Sequence, residues 1–201
     1  MSNILMISSE VAPFAKTGGL GDVLGALPEA LKKNGNDVRV VMPKYGCIPE
    51  KYVSEMEFLF YIYVPLGWRS KYCGVFRIVK NSVEYYFVDN EYYFGDNCLY
   101  KWNDLERFAF FDKAALEILK GLNFRPDIIH CHDWQTGAIP VLLDAYYRRD
   151  EFYCNARCVF TIHNLKYQGI YSIDAVSDFF SLNMSYFTND KLEFHGCANL
   201  L

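Results

Sequence analysis

Apolar and polar positions along this chain switch between two periods. A short unbroken apolar run, Ile4-Leu5-Met6-Ile7, leads into Ser8-Ser9 and has the length of a buried strand, predicted over 3–9. From Leu20 the period lengthens. Leu20, Val23, Leu24, Leu27 and Leu31 share one helical face, which predicts a helix over 20–34 that Gly35-Asn36 ends. Pro28 lies inside that pattern and predicts a kink or restart, because proline lacks the N–H that a helix interior needs. Asp37 to Pro43 reads as the next strand. Strand, helix, strand is a βαβ unit, and it predicts a parallel sheet.

The pattern then changes. Phe58–Val64, Tyr72–Val79 and Val83–Asp89 are strand-like and aromatic, with Lys80-Asn81-Ser82 as a tight connection, so an antiparallel insertion at the sheet edge is predicted. Leu105 to Leu122 returns to helical period with Phe108, Phe111, Ala115, Leu116 and Leu119 facing inward. Pro126 to Cys131 predicts a buried strand, Thr136 to Tyr147 a helix, and Arg157 to His163 a further buried strand. Leu192 to Leu201 is still apolar and patterned where the sequence stops, which predicts a piece of a longer protein. The fold class that follows is α/β, a parallel sheet with an antiparallel β insertion.

Composition narrows the function. With 201 residues, 52% of them apolar, one large domain with a substantial core is within reach. The 16 Tyr and 16 Phe fill cores, and surplus surface rings stack on sugars or bases. A formal charge of -4 argues against a nucleic-acid partner. Seven scattered cysteines with no CxxC pair predict reduced thiols and a cytoplasmic location. The first apolar run lacks a basic flank and is interrupted by Glu10, unlike a secretory leader. No apolar stretch approaches the ~20 residues that span a bilayer, so no membrane partner is expected.

The candidate chemistry gathers at three strand ends. Lys16-Thr17-Gly18-Gly19-Leu20-Gly21-Asp22-Val23 sits between a strand and a helix start. Unpaired N–H groups and the positive helix end, with glycines that admit close approach and a nearby lysine, suit an anion such as phosphate. A Gly-Gly tight turn with a solvated lysine gives the same sequence. The second end is His130-Cys131-His132-Asp133-Trp134-Gln135 and the third His163-Asn164-Leu165-Lys166-Tyr167-Gln168-Gly169. Parallel strands place all three on one rim, where such sheets bind ligands. Asp133 equally reads as a helix N-cap, and His130 as a core histidine. Metal binding would need His130 and His132 on one face, hence a strand through 132. HExxH, GxSxG, GxGxxG and a Walker A loop are all absent.

Three long motifs in order resemble the N-terminal half of bacterial glycogen synthases and plant starch synthases. They are Ser8 to Phe14 continuing into Lys16 to Val23, His132 to Gln135, and Thr161 to Gly169. Leu27-Pro28 and Val41-Met42-Pro43 follow the same pattern, and the resemblance covers essentially the whole chain. It implies the N-terminal, acceptor-side half of a GT-B architecture, a Rossmann-like parallel sheet with helices on both faces, over 1–201. A C-terminal nucleotide-binding domain of the same protein would be its partner. The implied reaction transfers glucose from ADP-glucose to the nonreducing end of an α-1,4-glucan (glycogen or a maltooligosaccharide) with retention. No metal and no cofactor are implied.

In that scheme His163 and Asp133 are the catalytic-site residues. Lys16, Gly18 and Gly19 hold the donor phosphates, and Asn164 contacts the glucan. Trp134 and Tyr93, or Tyr92, offer stacking surface. The family's basic pair and Glu for the donor lie beyond these motifs, so this chain alone is expected to have little activity. A GT-B transferase for another nucleotide sugar and a non-catalytic glucan-binding module are the competing readings.

Overall fold

The computed structural model describes residues 1–201. Its main sheet has seven strands in the order β3-β4-β5-β2-β1-β6-β7. They are β1 (Asn3–Ile7), β2 (Asp37–Pro43), β3 (Glu57–Leu66), β4 (Arg69–Lys80), β5 (Val83–Asp89), β6 (Ile128–His132) and β7 (Arg157–Thr161). β5, β2, β1, β6 and β7 are mutually parallel. The β3–β4 and β4–β5 pairings are antiparallel. The predicted insertion is therefore two strands deep. β5 belongs to the central sheet, because its Val-x-Tyr-Tyr-Phe-Val run is buried beside β2.

Helix α1 (Gly19–Lys33) links β1 to β2, and α4 (Asp104–Gly121) links β5 to β6 in the opposite direction along the sheet. Right-handed crossovers put these two helices on opposite faces. One-turn helices α2 (Glu50–Val53) and α3 (Glu91–Phe94) lie between them in the chain.

α1 continues through Pro28 as one helix, so of the kink and the restart that the sequence offered, the restart does not occur. Leu20, Leu24 and Pro28 stand one helical turn apart and are all buried, so the ring packs on the sheet and offsets its missing hydrogen bond. In α4 the predicted stripe is buried, and so are Phe110, Ala114 and Ile118, because α5 (Ile139–Leu142) and α6 (Ile173–Phe180) cover its outer side.

The other departures are local. β1 ends at Ile7 rather than Ser9, since the Ser8 hydroxyl turns back to the backbone of Glu10. Asn81 and Ser82 both have positive φ, the conformation of a two-residue hairpin turn. The predicted 136–147 helix is a short 3-10 turn at Trp134–Thr136, then α5, then a π turn over Leu143–Tyr147. β7 is an edge strand whose Val159 is exposed, not a buried one. Its apolar composition misleads because β6 is its sole strand neighbour. Beyond it, β8 (Ile170–Tyr171), β9 (Glu193–Phe194) and β10 (Cys197–Asn199) form a small antiparallel sheet. No helix is long and apolar enough to cross a membrane.

Candidate functional site

The loops leaving the carboxyl ends of β1, β6 and β7 meet around one cleft of about 800 Å³. Its walls include Glu10, Thr17, Gly18 and Gly19 from the first loop, Asp133, Trp134 and Gln135 from the second, and His163, Asn164 and Tyr167 from the third. Tyr100 and Asp104, which precede and open α4, close one side.

A buried carboxylate shapes the first loop. Glu10 accepts hydrogen bonds from the Thr17 N–H at 2.5 Å, the Thr17 hydroxyl at 2.7 Å and the Gly18 N–H at 3.2 Å. The Tyr100 hydroxyl donates to the same carboxylate, and burial together with that bond drives the phenol far above its usual range. Gly18's N–H is thus already partnered. The open donors at the start of α1 include those of Gly19 and Leu20. An added Cβ at Gly18 or Gly19 would meet nothing within 4 Å, so packing does not demand glycine there. Gly21 is different: a Cβ on it would collide with the Lys16 Cβ. Lys16 itself stands outside the cleft lining, exposed and 2.6 Å from Asp22.

The second and third loops are tied by Asp133. Its backbone sits at φ 57, a region that aspartate enters more readily than most residues. Its Oδ1 accepts from the His163 N–H at 2.6 Å and the Asn164 N–H at 3.3 Å. Its carboxylate makes no bond to its own helical turn, so side-chain N-capping is not its role and it serves the facing loop instead. Removing an acceptor from two such donors costs about 1–3 kcal/mol.

The strand does run through His132, so His130 and His132 share a face, with ring centroids 4.0 Å apart. Their nitrogens point to other partners. His130 Nε2 lies 2.7 Å from the Thr161 hydroxyl, and His132 Nδ1 lies 3.0 Å from His163 Nε2. Burial, then the neighbouring imidazoles, lowers His132 to about 3. His130 is also lowered, by burial first and then by His163. No group of three or more His, Cys, Asp or Glu side chains is arranged to hold a metal ion.

Of the residues singled out in the sequence, Gly18, Gly19, Asp133, Trp134, His163 and Asn164 come together at the cleft. Trp134 brings little ring surface, because its buried indole packs edge-on with Phe108 and at a tilt against Tyr171. Gly169, at φ 62, lets the backbone press on that ring: a Cβ there would lie 2.6 Å from it. Tyr93 is not at the cleft. It is buried against Phe110, and its hydroxyl donates to Glu106 at 2.6 Å. Tyr92 is 72% exposed and lies outside the cleft lining.

Sequence reasoning missed Glu10, Tyr100, Asp104 and Arg107. Arg107 is fully buried in α4, bonded to the Tyr93 carbonyl at 2.8 Å and to Asp104 at 2.5 Å, and it fastens the 93–104 segment that carries Tyr100. Burial raises Asp104 despite that arginine. The available signal was a charged Glu10 at the end of an apolar strand and an arginine inside an aromatic helical stripe.

A parallel sheet with its cleft at the carboxyl strand ends defines a Rossmann-like domain of the kind found in GT-B glycosyltransferases. The starch synthase catalytic domain family matches residues 3–201, and the chain belongs to that family. Glycogen synthase of Lachnospira eligens is 52% identical over 203 residues, spanning 100% of this chain and 42% of that protein. Glycogen synthase of Geobacillus thermodenitrificans is 49% identical, over 98% of this chain and 41% of its own length. The chain therefore spans about two-fifths of these relatives. The catalytic domain of starch synthase IV from Arabidopsis thaliana, solved with ADP and acarbose, superposes with a TM-score of 0.91 at 29% identity. That match covers 99% of this chain and 42% of the plant domain. Sucrose-phosphate synthase from Thermosynechococcus elongatus shares the fold at a TM-score of 0.53 and 16% identity.

Proposed function

We propose that this chain forms the acceptor side of a glucosyltransferase that extends α-1,4-glucans from ADP-glucose, with retention at the anomeric carbon. The observation that supports this most is the convergence of the three family motifs on one cleft, with Asp133 fixing the loop that carries His163 and Asn164. In this reading His163 contacts the transferred glucose and Asn164 the glucan. The free N–H groups of Gly19 and Leu20, with Lys16 released from Asp22, face the departing diphosphate. Preorganised donors of this type stabilise charge developing on a leaving group. Gly18 contributes space rather than a donor. The donor's nucleotide half binds to a C-terminal domain, so the chain by itself is expected to be inactive. The protein is expected to act in the cytoplasm without metal or cofactor.

The test is a chimera in which this chain replaces the matching segment of Lachnospira eligens glycogen synthase. Glucan extension from ADP-glucose, outcompeting UDP-glucose, is the expected result. A folded chimera that binds maltooligosaccharide but transfers no glucose would favour the non-catalytic module. Transfer from UDP-glucose in preference would redirect the donor assignment.

A further inference from the structure

His130, His132 and His163 stand in file, with centroids 4.0 Å apart for the first pair and 5.3 Å for the second. His132, in the middle, is fully buried and does not line the cleft. Its Nδ1 lies 3.0 Å from Nε2 of His163, and its own Nε2 is buried without a partner. His130 spends its Nε2 on Thr161, and Asp133 spends Oδ1 on the backbone of the His163 loop. The His163 ring is therefore held by His132, and its backbone by Asp133.

We infer that His132 is a positioning residue: its Nδ1–H donates to Nε2 of His163 and so holds His163 as the Nδ1–H tautomer. One proton lies between the two rings, and the surroundings decide which ring supplies it. Were His163 the donor, the proton of neutral His132 would sit on Nε2, leaving a buried N–H with no acceptor. With His132 as donor, the same Nε2 carries only an unused lone pair. Buried N–H groups without partners are the rarer defect in proteins. A doubly protonated His132 is no alternative, because burial and its two imidazole neighbours lower it to about 3. The hydrogen bond made at one ring nitrogen sets the role of the other. His163 is left with one ring donor, its Nδ1–H. Free histidine favours the opposite, Nε2–H form, so the fold imposes a minority tautomer at the cleft. The catalytic consequence rests on the role proposed above for His163: a donor at Nδ1 can bond a sugar hydroxyl oxygen as an acceptor.

The experiment uses the 201-residue chain labelled with 15N-histidine, which has four imidazoles to assign. Long-range 1H–15N correlation spectra at mildly alkaline pH distinguish the tautomers. His132 and His163 are both expected as Nδ1–H. In His132→Leu, His163 reverts to Nε2–H. In His132→Asn, whose amide nitrogen occupies the place of Nδ1, it stays Nδ1–H. Finding His163 as Nε2–H in the unaltered chain overturns the inference, even if the leucine variant fails to fold. Retention of Nδ1–H in a folded leucine variant overturns it too. In the chimera, His132→Leu is expected to slow transfer about 10²-fold with the glucan KM little changed, and His132→Asn to restore most of it. Full activity in His132→Leu together with the expected spectra would discard the catalytic role of His163 and leave the tautomer assignment standing.

Discussion

The carboxyl-end rim and the β3–β4 flank use polar residues in opposite ways. At the rim, Glu10, His132, Asp133 and Thr136 are buried, and the first three are bonded to a segment far away in sequence. On the flank, Tyr61, Tyr63 and Tyr72 touch one another on an exposed face, and ion pairs such as Arg77–Glu57 sit in solvent. Buried polar groups with long-range partners fix one geometry, and each costs dearly to remove. Exposed pairs keep the sheet edge polar and contribute little. Aromatic abundance alone therefore does not mark the site; buried polarity at strand ends does.

The sharpest way to break this contrast is Asp133→Ala in the chimera. Freeing the His163 and Asn164 N–H groups is expected to lower transfer about 10²-fold or more, with the loss read from initial rates. Asp133→Asn keeps an acceptor and tolerates the positive φ, so it should recover stability better than alanine. Unchanged rates in Asp133→Ala would make the rim no different from the flank.

Gly18→Val comes next. Its φ of -157 is extended, and nothing stands within 4 Å of an added Cβ, so the fold should hold. Affinity for ADP-glucose in the chimera is expected to fall at least about tenfold, or ~1.4 kcal/mol, by calorimetry. Normal affinity would remove the diphosphate from this loop.

Glu10→Gln should lower unfolding stability by about 1–3 kcal/mol in urea titrations, since each carboxylate oxygen accepts from two donors and one oxygen becomes an NH2 group. A smaller effect from Tyr100→Phe would show that the backbone bonds dominate. A pH series sharpens the same point. His132 has a folded value near 3, below the ordinary 6.5, so the unfolded chain binds its proton more tightly. Its contribution is full above about 6.5 and is lost as pH falls towards 3. His132→Asn should flatten that part of the stability profile relative to the unaltered chain. At the small end, Arg77→Ala on the flank should change stability by no more than about 0.5 kcal/mol.

Periodicity made β1, α1, β2, α4 and β6 legible, because each buries one face or both against the same core. It failed where neighbours decide. Val83 to Asp89 reads alike whether it pairs parallel or antiparallel, and only the β2 contact makes it central. Val159 and Phe160 have the composition of a buried strand but lie at an edge. The three rim loops were legible because strand polarity carries them to one side. The partners inside the rim were not. Glu10 reaches Thr17 and Tyr100, and Arg107 reaches the 93–104 segment, through contacts that no local pattern encodes. Tyr92 and Tyr93 are the same residue type side by side and read alike as stacking surface, but one step along a short helix separates the exposed ring from the buried one.

The most direct single measurement is an amide NMR titration of the 201-residue chain with a maltooligosaccharide. Saturable shifts at Gly19, Asp133, His163 and Asn164, with Tyr61, Tyr63 and Tyr72 silent, are expected if the rim is the glucan site. Shifts confined to those three tyrosines, with the rim unmoved, would place sugar binding on the flank and contradict it.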